Sequence, residues 1–212
     1  MDQYFGTYRR FDTPSKKDAA TLLGADNLVG DVFSIEFATE KGQNIAWLKN
    51  RFGGRIGFYD ADFSRQLSVM AARGWVLNAL LAFVAYTDQP APGHYWGETV
   101  VICYDPASEQ AFSPFVEGVS RLLASGVRPD VNLGEQGVAK VVESSGAWLP
   151  SKRVDMPAKE AGTVVMKRER KMSEKLIEQG RKGNKGCYVA SWAFIVLVVA
   201  GIVFGLKSCG VF

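Results

Sequence analysis

Charge divides this chain of 212 residues into two unequal parts. Residues 151–212 carry twelve basic and five acidic residues, a net charge of +7, whereas residues 1–150 carry thirteen basic and seventeen acidic residues, a net charge of −4. Broad nucleic-acid affinity needs a basic surface, so the acidic N-terminal part argues against that class of protein. About 150 residues are enough for one domain with a hydrophobic core.

The N-terminal half is predicted to be rich in strands. Residues 1–27 are interpreted as a lead-in with one short helix, which starts near Pro14 and stops at Gly24. Alternating or β-type apolar residues then predict three short strands, at 32–38, 44–49 and 55–59. The last two of these strands are joined by a glycine turn, because two adjacent glycines permit positive φ.

From residue 60 the apolar period changes to that of a helix. A capped amphipathic helix is predicted at 60–73, and Gly74 ends it. The apolar run 75–86 is interpreted as a buried strand, although its Leu and Ala content leaves a helix open. After a loop, a further strand is predicted at 95–104.

Two amphipathic helices are predicted after these strands, at 114–124 and 134–144. Strands followed by helices indicate the α+β fold class. We therefore predict one globular α+β domain at residues 28–150.

The C-terminal part contains the longest apolar run, residues 187–206, which has twenty residues and no charge. A helix of that length spans about 30 Å, the thickness of the hydrocarbon core of a bilayer. The fold class therefore includes a C-terminal single transmembrane helix at 187–206. It is expected to follow a polar linker and basic juxtamembrane helix at 151–186 and to precede a short distal tail at 207–212.

Basic residues precede the predicted span, namely Lys167, Arg168, Arg170, Lys171, Arg181, Lys182 and Lys185. Because cytoplasmic flanks are rich in Lys and Arg, we expect a tail-anchored, single-pass protein with its N-terminal domain cytoplasmic and its C-terminus outside or in a lumen. The basic helix is either a solvated stalk or an interfacial helix on the lipid bilayer. Gly201 and Gly205 form a G-x-x-x-G pair through which two copies would form a homodimer.

Cysteine and histidine residues are few and scattered. The three cysteines, Cys103, Cys187 and Cys209, have no metal-ligand spacing, and His94 is the sole histidine. Cys103 is expected to be a buried hydrophobe, and His94 a residue of a surface loop. We expect no metal, no cofactor and no catalytic residues, so the chain is not predicted to be an enzyme. A hydrolase site around His94 is the weakest alternative.

One region combines basic and aromatic residues, between residues 41 and 73. Such a combination on strands and a turn is typical of a surface that binds single-stranded nucleic acid. The candidate contacts are Lys49, Arg51, Arg55, Tyr59 and Arg65. Core packing is the alternative explanation for the aromatic residues, since alternating strands direct half of them inward.

The same region carries a family resemblance. The stretch NIAWLKNRFGGRIGFYDADFSRQLSVMAARGW, followed by a long strand and GETVVICY, resembles the HIRAN domain across residues 29–104, with 56–59 and Gly74 as its best points. The resemblance implies a small mixed or antiparallel β-barrel with one internal helix. It also implies binding to DNA ends or unusual DNA, usually beside a helicase or nuclease.

Two functions from different classes follow. The leading hypothesis is a non-enzymatic, membrane-tethered cytoplasmic module that binds a protein or peptide partner, and it rests on the predicted anchor and the acidic domain. The alternative is HIRAN-like nucleic-acid binding through residues 41–73.

Overall fold

The computed structural model describes residues 3–15, 21–40, 42–158, 160–181, 194 and 196–198. The chain divides into two compact units, residues 1–170 and 171–212. The strands described in the first unit are β1 Tyr4–Asp12, β2 Val32–Glu40, β3 Gln43–Lys49, β4 Arg55–Phe58, β5 Val76–Thr87, β6 His94–Tyr104 and β7 Thr163–Lys167.

Three longer helices belong to the first unit, and a fourth is described in the second. They are α1 Ala61–Ala72, α2 Glu109–Ala124, α3 Gly134–Glu143 and, in the second unit, α4 Met172–Arg181. The N-terminal cap of α1 is Asp60, whose side chain accepts a hydrogen bond from the Phe63 N–H at 2.9 Å. A 3₁₀ turn at Pro106–Ser108 leads into α2.

Six strands form a closed antiparallel β-barrel. The order β2-β3-β4-β1-β6-β5 closes on itself because β5 also pairs with β2, and β7 is added at β5. The small antiparallel barrel that the family resemblance implies is therefore present. Closure leaves few exposed strand edges, which otherwise invite aggregation.

Apolar side chains pack in two clusters, one on each face of the sheet. The interior cluster includes Phe11, Phe33 and Leu48, and α1 contributes Phe63 and Leu67 to it. The outer cluster packs β5 and β6 against α2 and α3, with Phe112 and Phe115 fully buried. Both clusters arise from the alternation of side chains along each strand.

Phe11 is the side chain around which β1, β4 and β6 meet. It is 1% exposed, and its ring lies directly against Gly57 of β4 and Gly97 of β6. A Cβ at Gly97 would lie 2.5 Å from the Phe11 ring and 2.8 Å from the Phe83 carbonyl oxygen. The two glycines therefore provide the space that the aromatic ring occupies.

The structure differs from the sequence-based domain division at both ends. Residues 4–12 form a barrel strand where the sequence predicts a lead-in, and residues 163–167 form β7 within the predicted linker. Both segments belong to the first compact unit, residues 1–170. Part of the short helix predicted near Pro14 lies outside the described residues, since residues 16–20 are not described.

The predicted transmembrane helix is corrected. No helix among the described residues is long and apolar enough to cross a membrane. The longest described helix, α2, has 16 residues, whereas a span needs about 20. The fold class with a transmembrane helix, the description as a tail-anchored single-pass membrane protein, and the predicted membrane localisation and topology are therefore wrong. Most of 187–206, including Gly201 and Gly205, and the tail 207–212 lie outside the described residues.

We expect Gly97→Ala to destabilise the domain, because the new methyl group would collide with the Phe11 ring and with backbone. Overpacking of this kind costs about 1–3 kcal/mol in free energy of unfolding. Urea denaturation monitored by tryptophan fluorescence measures the change as a shift of the midpoint.

Gly54→Ala is the matched control. A Cβ there would have Asn50 Oδ1 as its nearest neighbour, at an ordinary 3.4 Å. We expect this variant to stay within about 0.5 kcal/mol of the wild type. Equal losses in the two variants would contradict the role assigned to the contact with Phe11.

Candidate functional site

The basic and aromatic region 41–73 holds two of its cations in ion pairs. Lys49 Nζ lies 2.7 Å from Glu36 Oε2, and Arg55 Nη2 donates to the other carboxylate oxygen of Glu36. The hydrogen bonds from Arg55 and Lys49 hold the pKa of Glu36 at about 2. A single carboxylate therefore already engages both cations.

The remaining candidates for nucleic-acid contact differ in their exposure. Tyr59 is fully buried, and its hydroxyl oxygen lies 2.6 Å from Thr99 Oγ1. Its prediction as a binding residue is corrected, because a ring inside the core cannot stack on a base. Arg65 is exposed on α1, and the exposed Arg51 places its guanidinium 5.5 Å from the ring centre of Phe52.

Two of the basic residues assigned to the membrane approach, Lys167 and Arg170, belong to the first unit and form their hydrogen bonds within it. Lys167 Nζ donates to two backbone carbonyls in the segment 24–27, at 2.8 and 3.0 Å. Arg170 is 7% exposed, and its guanidinium donates to the Val29 carbonyl and, at 3.2 Å, to Asp31. Arg168 and Lys171 are exposed, while the side chain of Arg181 and the residues Lys182 and Lys185 lie outside the described residues.

His94 and Cys103 are held by packing contacts. His94 Nε2 lies 3.4 Å from Arg10 Nη2, and the Arg10 guanidinium lies 4.2 Å from the ring centre of Trp96. Cys103 is buried, and burial raises its pKa to about 12, so the thiol is protonated at neutral pH. Among the described residues, no group of three His, Cys, Asp or Glu could hold a metal ion.

Strand β1 has one paired edge and one edge that is largely open. It pairs with β6 over its whole length, from Tyr4 opposite Tyr104 to Asp12 opposite Trp96. Its register with β4 contains a single pair, Asp12 opposite Phe58. The short β4 therefore closes the barrel at one end of β1, and no strand among the described residues pairs with the other end of β1 on that side.

The hydrogen-bond phase of β1 determines which residues face the open edge. The Gln3 carbonyl accepts from the Asp105 N–H at 3.1 Å, so Gln3 and every second residue after it face β6. The alternate residues Tyr4, Gly6 and Tyr8 consequently direct their backbone N–H and C=O groups away from β6, towards the open edge.

A groove of about 690 Å³ follows this open edge. One wall is the consecutive stretch 3–7, which is Gln3 and the start of β1, and the other is α3, which contributes residues between Gly134 and Glu143. Consecutive strand residues belong to both faces of the sheet, so a cavity that they all line runs along the edge of the strand. We name this cavity the β1–α3 groove.

The segment 128–131 positions α3 beside β1. Tyr4 donates its hydroxyl to the Val131 carbonyl at 2.8 Å, and Tyr8 donates its hydroxyl to the Pro129 carbonyl at 2.9 Å. Gly6 permits this approach, since a Cβ there would collide with the Val131 carbonyl oxygen. The wall formed by α3 is therefore fixed to the strand that forms the opposite wall.

A buried ion pair reinforces the same segment. Arg128 lies over the Tyr8 ring at 4.3 Å and pairs with Glu98 at 2.5 Å, and both side chains are nearly buried. Burial raises the pKa of Glu98, while the Arg128 guanidinium opposes that rise. Removing either partner would leave an uncompensated buried charge, so the pair ties segment 128–131 to β6.

The α3 wall is apolar at its centre and acidic at its ends. Val138, Ala139 and Val142 line the middle, with Val142 46% exposed, and Glu135 and Glu143 line the two ends. The described residues that line the groove include no Lys, Arg or His. The groove thus offers backbone hydrogen-bonding groups, an apolar strip and negative charge.

The residues of the groove were not singled out from the sequence. The one available signal lies in α3, where Val138, Val141 and Val142 all fall on the predicted apolar face. Val141 alone is fully buried, so the helix carries more apolar surface than its own packing uses. The open edge of β1 has no comparable signal, since the sequence of residues 1–27 predicts a lead-in with one short helix and no strand.

Comparisons with protein-family models, with curated proteins and with solved structures find no match to this chain. No family model therefore supports the HIRAN resemblance, and the structure supports only the small barrel that the resemblance implies.

We expect Glu36→Gln to lower the free energy of unfolding at pH 7 but not at pH 2. The folded-state pKa of Glu36 is depressed from 4.5 to about 2, so its contribution is present above pH 4.5 and disappears as pH falls towards 2. Urea unfolding of both proteins between pH 2 and pH 7 measures the difference. A difference that is constant across this range would contradict the assignment, and 1 M salt should reduce it at pH 7.

Proposed function

We propose that this domain binds an extended peptide segment of a partner protein, which adds as a strand to the open edge of β1 within the β1–α3 groove. The observation that carries the proposal is the position of the groove along the edge where Tyr4 and Gly6 direct their backbone groups. In strand addition, main-chain hydrogen bonds supply affinity, and pockets for alternate side chains supply specificity.

The dimensions of the groove suit such a ligand. Residues 3–7, which are Gln3 and the first four residues of β1, extend over about 13 Å from the first Cα to the last, and the ten residues of α3 have a rise of about 15 Å. The volume of about 690 Å³ lies within the 300–1,000 Å³ typical of ligand sites. A peptide of about five residues would therefore be in contact with both walls.

The groove also has surface that a ligand would cover favourably. An open strand edge presents N–H and C=O groups that can pair with another chain. Three apolar side chains border the same space: Val142 and the partly buried Phe5 and Val138. A ligand that covers them removes apolar surface from water, which favours binding. Backbone pairing and apolar burial would thus act at one place.

Hydrogen exchange tests the proposal on the full chain. A seven-residue peptide selected from a random linear library should protect the amides of Tyr4, Gly6 and Tyr8, which exchange readily in the free protein. The amides of Phe5, Thr7 and Arg9 serve as an internal reference, since they already bond β6. Peptide binding without new protection at Gly6 would contradict strand addition.

A matched pair of variants on α3 localises the binding. Ala139→Trp places a large ring in the groove, whereas Gln136→Trp places the same ring at an exposed position of the same helix that does not line it. We expect the first to weaken peptide binding at least about tenfold, which corresponds to about 1.4 kcal/mol, and the second to leave it unchanged. Equal effects would contradict the location.

A second candidate function is nucleic-acid binding by a HIRAN-like barrel. The exposed pair of Arg51 and Phe52, the latter 63% exposed, favours it, because a base can stack on the ring while the guanidinium meets phosphate. This candidate stands second because Lys49 and Arg55 already bond Glu36.

The double variant Arg51→Ala/Phe52→Ala tests this candidate. If the surface binds single strands, the variant should weaken binding of a fluorescent single-stranded oligonucleotide and reduce the salt dependence of that binding. Arg121→Ala, an exposed arginine on α2, is the control. No salt-sensitive binding by the wild type would remove nucleic acid as a ligand.

A further inference from the structure

The acidic residues of the β1–α3 groove have a regular placement. Glu135, Val138, Ala139, Val142 and Glu143 occupy one face of α3, since they are spaced three, four, seven and eight residues from the first. The three apolar residues lie between the two glutamates along the helix. Along α3, the groove wall therefore has an acidic residue at each end and apolar residues between them.

Both carboxylates are available to a ligand. Glu135 and Glu143 are exposed, and in the part of the chain that the structure describes neither has an ion-pair partner. Other glutamates of the domain are already engaged, for example Glu36 with Lys49 and Glu98 with Arg128. A ligand would pair with Glu135 and Glu143 without first breaking an internal contact.

The spacing of the two glutamates translates into a spacing along an extended ligand. Eight residues of helix correspond to about 12 Å, which is the rise of between three and four residues of a strand. Side chains on one face of a strand recur at even spacings, so the matching separation is four residues. The residue midway, also on that face, would meet the apolar strip.

We infer that the β1–α3 groove binds an extended segment of a partner protein in which two basic residues stand four positions apart, with an apolar residue midway between them. This inference rests on the proposed function, strand addition to β1. The basic residues pair with Glu135 and Glu143, and the apolar residue packs on Val138, Ala139 and Val142. Charge selects the ligand, and the main chain of β1 binds it.

Three synthetic peptides of seven residues test the pattern with the full chain. The matching peptide is Thr-Lys-Thr-Val-Thr-Lys-Thr with blocked ends. Its isomer Thr-Thr-Lys-Val-Lys-Thr-Thr has the same composition but places both lysines on the opposite face from the valine. The third peptide has glutamate in place of both lysines. Calorimetry measures affinity, and hydrogen exchange at Gly6 reports strand addition.

We expect the matching peptide to bind roughly tenfold more tightly than either of the others, the size expected from two exposed ion pairs. Its advantage should decrease as salt increases. In the variant Glu135→Lys/Glu143→Lys the preference should reverse, so that the acidic peptide binds more tightly than the basic one. Both residues are exposed on a helix, so the substitutions leave the core intact.

The outcomes separate the inference from the function on which it rests. If all three peptides protect Gly6 with equal affinity, the charge pattern is wrong and strand addition stands. If a library-selected peptide also fails to protect Gly6, the proposed function itself fails. If the chain instead forms a dimer that Ala139→Trp abolishes, the occupant is a second copy, and the inferred partner is wrong.

Discussion

The packing of Phe11 against two glycines is the contact on which the architecture depends. β1 and β4 share a single residue pair, Asp12 opposite Phe58, so backbone pairing alone joins these strands weakly. The Phe11 ring lies one residue before that pair, against Gly57 and Gly97, and so connects β4, β1 and β6 through one side chain. Apolar packing at this point replaces the hydrogen-bond ladder that the short β4 lacks.

The same brevity of β4 creates the groove. Had β4 continued alongside β1, it would have paired with the backbone groups of Tyr4 and Gly6, which instead face the groove. Instead, segment 128–131 lies on the outer face of β1, bonded to the hydroxyls of Tyr4 and Tyr8, and it leads into α3. Tyr4 and Tyr8 thus have two roles: their side chains fix one wall of the groove, and their main chain forms part of the other.

Strands β2 to β6 and helices α1 to α3 were predictable because each carries a local period, as in the alternation of residues 32–38 or the helical spacing of Phe63 and Leu67. β1 was not predictable in the same way. Its residues Tyr4 to Arg10 are all partly buried, with polar groups on both faces, so no apolar alternation distinguishes them. β7 is short and leads directly into a basic stretch, which suggested a continuous helix.

The predicted anchor rested on length and hydropathy alone, and no described helix meets those two criteria. The groove depends on the hydrogen bonds from Tyr4 and Tyr8 to segment 128–131, which join residues more than 120 positions apart in the sequence. No local sequence pattern encodes such contacts.

The two candidate surfaces differ more in whether their charged side chains already have ion-pair partners than in how many charges they carry. The surface at 41–73 is rich in cations, but Arg55 and Lys49 are bound by Glu36, whose depressed pKa reflects how strongly its charged form is stabilised. An anionic ligand would have to compete with that carboxylate for both. In the β1–α3 groove, Glu135 and Glu143 have no such partner among the described residues. On the opposite wall, the backbone groups of Tyr4 and Gly6 face away from β6, towards the groove. A group that is already bonded inside the protein gains little net free energy when it exchanges that bond for one to a ligand. The unpaired groups of the groove can therefore contribute more to ligand affinity than the paired cations of the surface at 41–73.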